Sequence, residues 1–361
     1  MKFVHTSDWH IGLKPRHVAG LGEELAAARY RTVKKIRDLA NTERVDFTVV
    51  AGDVFDDHGV GTQPIKRLGE ILIGFNHPVY VIPGNHDHWT VGGFWGGVSE
   101  AWPANVKILS ERVAVEIPGG LLFPCPPTQK LSIGDPTSWI PTPNGKQIRV
   151  GLAHGSIVGA ALGNAANGID AKAAQNAQLH YLALGDTHSF QTYETDGVIR
   201  TAYSGSPEPS SFAEKDPGHV ALVEIDSEGN VSHQKITVGE FTWYSMEFDL
   251  QQTAGIPAVK SRLAQYLGPK MIWSLKLKGL FKASQWQELD TLEIELQAAC
   301  SYFKLNRTKL IPHPEDDSWV DDLPEGYMRT VGQELKSKSA IDPIAARALI
   351  ELYLLAGGTG Q

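Results

Sequence analysis

The sequence predicts an α/β fold for residues 1–240, and three observations carry that prediction. Short β-rich runs alternate there with amphipathic helical stretches, the pattern of a sheet with helices packed on it. Each polar motif stands directly after one of the β-rich runs, where ligand sites of open α/β sheets gather. From about residue 241 the texture changes to a smaller α+β pattern. With 361 residues, 42% hydrophobic and 20% charged, the chain has room for two or three units with a buried core and is neither disordered nor fibrous.

In order, residues 2–6 read as the first strand. Residues 23–41 read as a helix because Leu25, Val33, Ile36 and Leu39 fall on or near one side, and they feed a buried strand at 47–51. A helix at 65–75 leads into a strand at 78–82, and further strands are expected at 106–109, 113–117, 121–123, 148–153, 181–184 and 220–225. Beyond 241 come a strand to 250, a helix after Pro257, a strand at 271–277, a helix at 284–299 and a strand at 302–305. Residues 311–326, with three prolines and a run of acids, read as an exposed linker. A terminal helix opens with Asp342 as N-cap and Pro343 at its first position, carries the apolar stripe Ile344, Ala348, Leu349, Leu352 and Leu355, and stops at Gly357 and Gly358. The expected domains are 1–240, 241–310, a linker at 311–327 and a helical segment at 328–361.

Two cysteines, Cys125 and Cys300, build no disulfide framework, so a reducing cytoplasm is expected. Residues 1–4 run straight into the first motif, leaving no room for a signal core, and no apolar run approaches the roughly 20 residues of a membrane span. The net charge of -8 argues against a free nucleic-acid binder, unless bound cations and a basic partner offset it.

Asp8-Trp9-His10 follows the first strand, and residues two apart in an extended segment share a side, so a carboxylate and an imidazole can hold one ion. Alone, the pair is a weak signal, and its ordinary reading is a helix cap beside a surface histidine. Gly52-Asp53 follows the second strand, and the Asp53 carboxylate has two oxygens with which to bridge ions. Gly84-Asn85-His86-Asp87 is the most specific motif: Asn85 offers an amide oxygen, while His86 can stay unmetallated and move a proton. His154 and Gly185-Asp186-Thr187-His188 end two later strands. Seven oxygen and nitrogen ligands without cysteine favour two six-coordinate divalent ions, manganese first, with iron, zinc or magnesium as alternatives. Two ions about 3.5–4 Å apart suit in-line displacement at phosphorus.

Taken in this order, these motifs resemble the calcineurin-like metallophosphoesterases over roughly residues 1–210. The stretches from His5 to Gly12, from Gly52 to Asp56 and from Tyr203 to Glu208 are similar to SbcD-type DNA-repair nucleases. The resemblance implies a four-layer α-β-β-α sandwich with a small α+β capping domain and a C-terminal helical tail. It implies one ion on Asp8, His10 and His188, another on Asn85, His154 and Asp186, and Asp53 between them. His86 would protonate the departing sugar oxygen, with Asp53 and Asp87 also counted as catalytic. The family usually reads Gly-His-x-His where this chain has Gly185-Asp186-Thr187-His188, so an altered metal preference is expected.

The function expected from the resemblance is a DNA nuclease, 3'-5' exonucleolytic or endonucleolytic on single strands, working in the cytoplasm with an SbcC-type ATPase docked on the terminal helix. That helix could equally pack on its own domain, and homodimerisation is left open. Lys14, Arg16, His17, Trp89, Ser204 and Ser206 are the candidate DNA contacts, with the aromatic, glycine-rich loop from His88 to Gly97 as a stacking element or wedge. A small-substrate phosphatase or cyclic-nucleotide phosphodiesterase, and a non-catalytic scaffold, are the competing readings.

Overall fold

The computed structural model describes residues 1–143, 145–158, 166–195, 197–253 and 255–356. The chain forms two units, Met1–Thr242 and Trp243–Gln361. The first begins with β1 (Lys2–Thr6), α1 (Gly22–Thr42), β2 (Phe47–Ala51), α2 (Thr62–Leu72), β3 (Val79–Ile82), α3 (Phe94–Ala101) and β4 (Val106–Ile108). It continues with β5 (Val115–Ile117), β6 (Gly120–Cys125), β7 (Ile148–His154), β8 (Ser156–Val158), β9 (Gly168–Asp170), α4 (Ala173–Asn176) and β10 (Tyr181–Gly185). It closes with β11 (Gln191–Thr195), β12 (Val198–Tyr203), β13 (His219–Ile225) and β14 (Val231–Thr237).

Two six-stranded sheets result, in the orders β14-β13-β1-β2-β3-β4 and β11-β12-β10-β7-β6-β5. Their central strands run parallel, β1 with β2, β2 with β3, and β7 with β10. Phe3, Phe47, Val49 and Ile82 of one sheet meet Leu122, Val150, Leu152 and Tyr181 of the other in a buried layer. Strands covered on both faces are apolar nearly throughout, which is why they stand out in the sequence. On its outer face the first sheet packs against α1, α2 and α3 through Val33, Ile36, Leu68, Leu72 and Trp95. The second sheet's outer face is covered by Ile140, Ile169 and the alanines 173, 174 and 177. Among the described residues the expected second helical layer is thus reduced to loops, the two-stranded β8-β9 sheet and the four-residue α4.

The second unit holds β15 (Thr242–Asp249), α5 (Gly255–Leu263), β16 (Met271–Lys282), α6 (Trp286–Ala299), β17 (Tyr302–His313), α7 (Tyr327–Ser339) and α8 (Pro343–Leu355). Its three-stranded sheet packs Trp273, Leu275 and Phe303 against Val259, Leu289, Leu292 and Leu296 of α5 and α6. Within the segment expected as a linker, β17 runs on to His313 and Asp317–Val320 forms a 3-10 turn. Asp342 caps α8 by accepting the Ile344 N–H at 2.8 Å. The expected stop at Gly357 and Gly358 lies outside the described residues. No described helix is long and apolar enough to cross a membrane.

Candidate metal centre

Parallel strands place their C-terminal ends together, and those ends carry the motifs. Asp8 and His10 follow β1, Asp53 follows β2, Asn85 and His86 follow β3, His154 is the last residue of β7, and Asp186 and His188 follow β10. The first two loops are zipped to each other: Asp8 N–H donates to Gly52 O at 3.0 Å, and His10 N–H to Asp53 O at 3.0 Å. Four non-glycine residues here hold left-handed backbone, Asp8 at φ 53°, His10 at 44°, Asp53 at 50° and Asp186 at 96°. Such conformations cost about 1–3 kcal/mol each and persist where surrounding structure over-determines them, as at ligand sites. At Gly84 the approach is so close that an added Cβ would coincide with the Asp53 carboxylate.

The side chains then aim one kind of atom at one place. Asp8, His10 and His188 bring their ligand atoms within 4.8 Å of one another, and so do Asp8, Asp53 and His154. The Nε2 atoms of His10 and His188 stand 3.0 Å apart. Asp53 Oδ2 lies 3.9 Å from His10 Nε2 and 3.5 Å from His154 Nε2, between the two groups. Asn85 Oδ1 is 2.8 Å from the same His154 Nε2, and Asp186 Oδ1 stands 3.8 Å from it. Turned over, the Asn85 amide donates instead to His154 and to Asp53 at 2.8 and 3.1 Å, so either orientation sets a polar atom of Asn85 against this pair. Lone pairs at these separations repel unless a proton or a cation lies between them. An oxygen and nitrogen set without thiolate fits divalent metal ions.

Outside that set, a second layer fixes the rings. His154 Nδ1 donates to Ala51 O at 2.8 Å, His188 Nδ1 to Glu214 Oε1 at 2.9 Å, and His86 Nδ1 to Asp56 O at 2.9 Å. Each contact fixes the tautomer and leaves Nε2 for the site. Burial works against charge on His188, but the Glu214 hydrogen bond and the Asp8 and Asp53 carboxylates lift its pKa to about 9. His154 is likewise raised well above its ordinary value, burial being outweighed by Asp53. Burial opposes ionisation of Asp53 too, yet His154, His10 and His86 hold it below the usual carboxylate range. Without metal, protons therefore occupy the place of cations. Asp56, held low by its contact with His10, stands 3.5 Å from His10 Nδ1.

The structure corrects several expected roles. Asp87 is fully buried; its carboxylate accepts the Phe55 N–H at 3.0 Å and the Gly84 N–H at 2.6 Å, bracing two loops and facing no reacting group. Burial pushes its pKa up to about 7. Ser204 and Ser206 are fully buried and cannot touch DNA: Ser204 Oγ lies 2.9 Å from Ser7 Oγ, and Ser206 Oγ donates to Asp8 O at 2.9 Å. Trp89 packs half-buried against the first sheet's helices and Trp95 is fully buried in α3, so these rings face the core, while Thr90 and Val91 between them are exposed. Lys14, Arg16 and His17 are exposed, Lys14 pairing with Glu23 at 2.8 Å and the His17 ring lying against Phe212. Sequence reasoning misses Glu214 and the orienting role of Asp56. Asp56 sits inside a motif visible in the sequence, whereas Glu214 is marked by no pattern.

Residues 1–190 match the profile of the calcineurin-like phosphoesterase family. YhaO of Bacillus subtilis, named as an uncharacterized metallophosphoesterase, is 34% identical over 123 residues, 32% of this chain and 29% of that protein. The DNA double-strand break repair protein Mre11 of Haloferax volcanii is 26% identical over 328 residues, 89% of this chain and 68% of that protein. The SbcD component of the SbcCD nuclease of Staphylococcus epidermidis is 31% identical over 91 residues, 24% of this chain and 23% of that protein. The matched stretches thus span less than a third of YhaO and of the SbcCD component. With the profile covering more than half of its length and the acceptor cluster at the ends of its strands, the chain belongs to the calcineurin-like phosphoesterases, a family of metal-dependent phosphoester hydrolases.

Proposed function

We propose that this chain is a two-metal nuclease that hydrolyses phosphodiesters in DNA, acting with an SbcC-type ATPase in the cytoplasm. The observation that carries the chemistry is the convergence of acceptor atoms on both sides of Asp53. Asp8, His10 and His188 would hold one ion, Asn85, His154 and Asp186 the other, with Asp53 shared and manganese the preferred metal. Bound divalent ions supply a deprotonated water at neutral pH and neutralise charge building on the phosphoryl oxygens. His86 is exposed beside this cluster, its ring 5.1 Å from that of His10, and its Nδ1 is tied to Asp56 O. Nε2 is therefore the atom left to give a proton to the departing oxygen. Asp56 orients His86 with its carbonyl, while its carboxylate stands 3.5 Å from His10 Nδ1, so it positions the acid beside a ligand.

The substrate class and partner rest on the relatives named for double-strand break repair and for the SbcCD nuclease, the first of which aligns beyond the metal centre into the second unit. Ile341, just before α8, and Ile344, in its first turn, are 87% and 80% exposed and offer that partner an apolar surface. The test is manganese-dependent degradation of end-labelled duplex and single-stranded DNA by wild type and His86→Ala, with a small phosphodiester in parallel. Cleavage of DNA that drops about 10²–10⁴-fold in the variant is expected. Hydrolysis of the small ester with DNA left intact would instead establish a small-substrate phosphodiesterase.

A further inference from the structure

The opposite ends of the same strands hold a second concentration of polar groups, and its chemistry is the reverse of the metal centre's. A cavity of about 670 Å³ opens there, with Lys146, Arg149, Gln178, His180 and Arg200 in its wall and Glu228 as the one acid among the described residues that line it. Arg149 is the second residue of β7 and His154 the last. At roughly 3.3 Å per residue the two sites are separated by about 16 Å along the strand.

Arg149 is the telling residue. It is 5% exposed, yet the groups it meets are neutral: Nη2 donates to Pro141 O at 2.5 Å and Ala177 O at 3.1 Å, and the guanidinium lies 4.3 Å over the Phe123 ring. Among the described residues its Nε has no hydrogen-bond partner, and burial lowers its pKa. A buried cation without a counter-charge is costly, and a ligand that supplies the charge removes that cost. His180 Nδ1 accepts the Arg149 N–H at 3.1 Å, leaving the ring hydrogen on Nε2 as a donor. Gly229 in the turn between β13 and β14 passes so close to this ring that a Cβ would come within 2.7 Å of Nε2. Burial first, and then Arg200 and Arg149, lower the His180 pKa, which marks the local field as positive in a chain of net charge -8.

We propose that this cavity binds a phosphate ester of nucleotide size, with Arg149, Arg200 and Lys146 on the phosphate. Guanidinium and ammonium donors suit phosphate oxygens, and the Gln178 amide and His180 Nε2–H add neutral donors for the rest of the ligand. The volume is far larger than a bare phosphate needs and lies in the usual range for small-molecule sites. The proposal stands apart from the nuclease reading, since it uses none of the metal-centre residues.

The experiment is calorimetric titration of the full chain, held in excess chelator, with deoxyadenosine 5'-monophosphate. One saturable site with a Kd below about 1 mM is expected, with no binding of deoxyadenosine. The double variant Lys146→Gln/Arg200→Gln, which spares buried Arg149 and so keeps the fold, should weaken binding about tenfold or more. His188→Ala should leave binding unchanged. Absence of saturable binding, equal binding of the uncharged nucleoside, or binding lost in His188→Ala but kept in the double variant overturns the proposal. So does a single-stranded oligonucleotide that binds through Lys146 and Arg200 while the mononucleotide does not, since that outcome assigns the surface to a strand.

Discussion

At the scale of single residues, the metal centre is a set of lone pairs that protons fill when cations do not. His188 is raised to about 9 against an ordinary 6.5, so in metal-free protein its protonated ring stabilises the fold fully below pH 6.5. That contribution is lost as pH rises through about 9, and the melting temperature of chelated protein should fall across this interval. Metal binding must expel the same protons. Manganese titrated in buffers of differing ionisation enthalpy at about pH 7 should therefore show net proton release, and apparent affinity should climb toward pH 9. Identical heats in every buffer would sink the idea. Glu214 supplies much of the elevation through a 2.9 Å hydrogen bond. Glu214→Gln should lower the His188 pKa, flatten the stability profile and weaken manganese binding by about 10–100-fold. No local pattern announces Glu214, because it reaches His188 from 26 positions away only after the loop following β12 has folded back.

Among the elements, strand ends set the positions, and loop packing admits very little error. The loops after β2 and β3 meet at Gly84, where any side chain would overlap the Asp53 carboxylate and press on its backbone nitrogen. Gly84→Ala should cost about 1–3 kcal/mol of stability through overpacking and abolish stoichiometric metal binding. Gly96, inside α3, has nothing within 4 Å of the place a Cβ would take. Gly96→Ala should be neutral or stabilise by about 0.5–1 kcal/mol, as expected of a helix interior, and melting curves of the two variants test the contrast. The same physics explains what was legible. β1, β2, β3, β7 and β10 are buried on both faces and end in motifs, so their runs and their tips both show in the sequence. β14 reads Val-Ser-His-Gln-Lys-Ile-Thr, a half-exposed edge strand whose polar residues hide it. α3 carries two glycines against helix propensity and is held by burial of Trp95 and Val98, a tertiary effect. α7 falls within the segment that reads as helical from residue 328, although it begins after Gly326 without a side-chain cap to mark its start.

For the molecule as a whole, the decisive balance is between an acidic chain and the cations it gathers. Asp8, Asp53, Asp56, Asp87, Asp186 and Glu214 all lie in or beside one centre, and all belong to the first unit. A ligand that binds the folded chain and not the unfolded one stabilises it by about 2.7 kcal/mol at 100 times its Kd. Each kcal/mol moves the midpoint of a domain of this size by about 2–4 °C. Stripping the metals should accordingly lower the melting temperature of residues 1–242 by about 5–10 °C. Trp243–Gln361 contains none of the centre's residues, and a melting transition of its own should stay where it was. Scanning calorimetry with and without chelator resolves the two. A shift confined to the first unit locates the metals where the acceptor cluster lies, whereas no shift would mean that folding of the first unit does not depend on these ions, and an equal shift of both would mean that the ions do not act on the first unit alone.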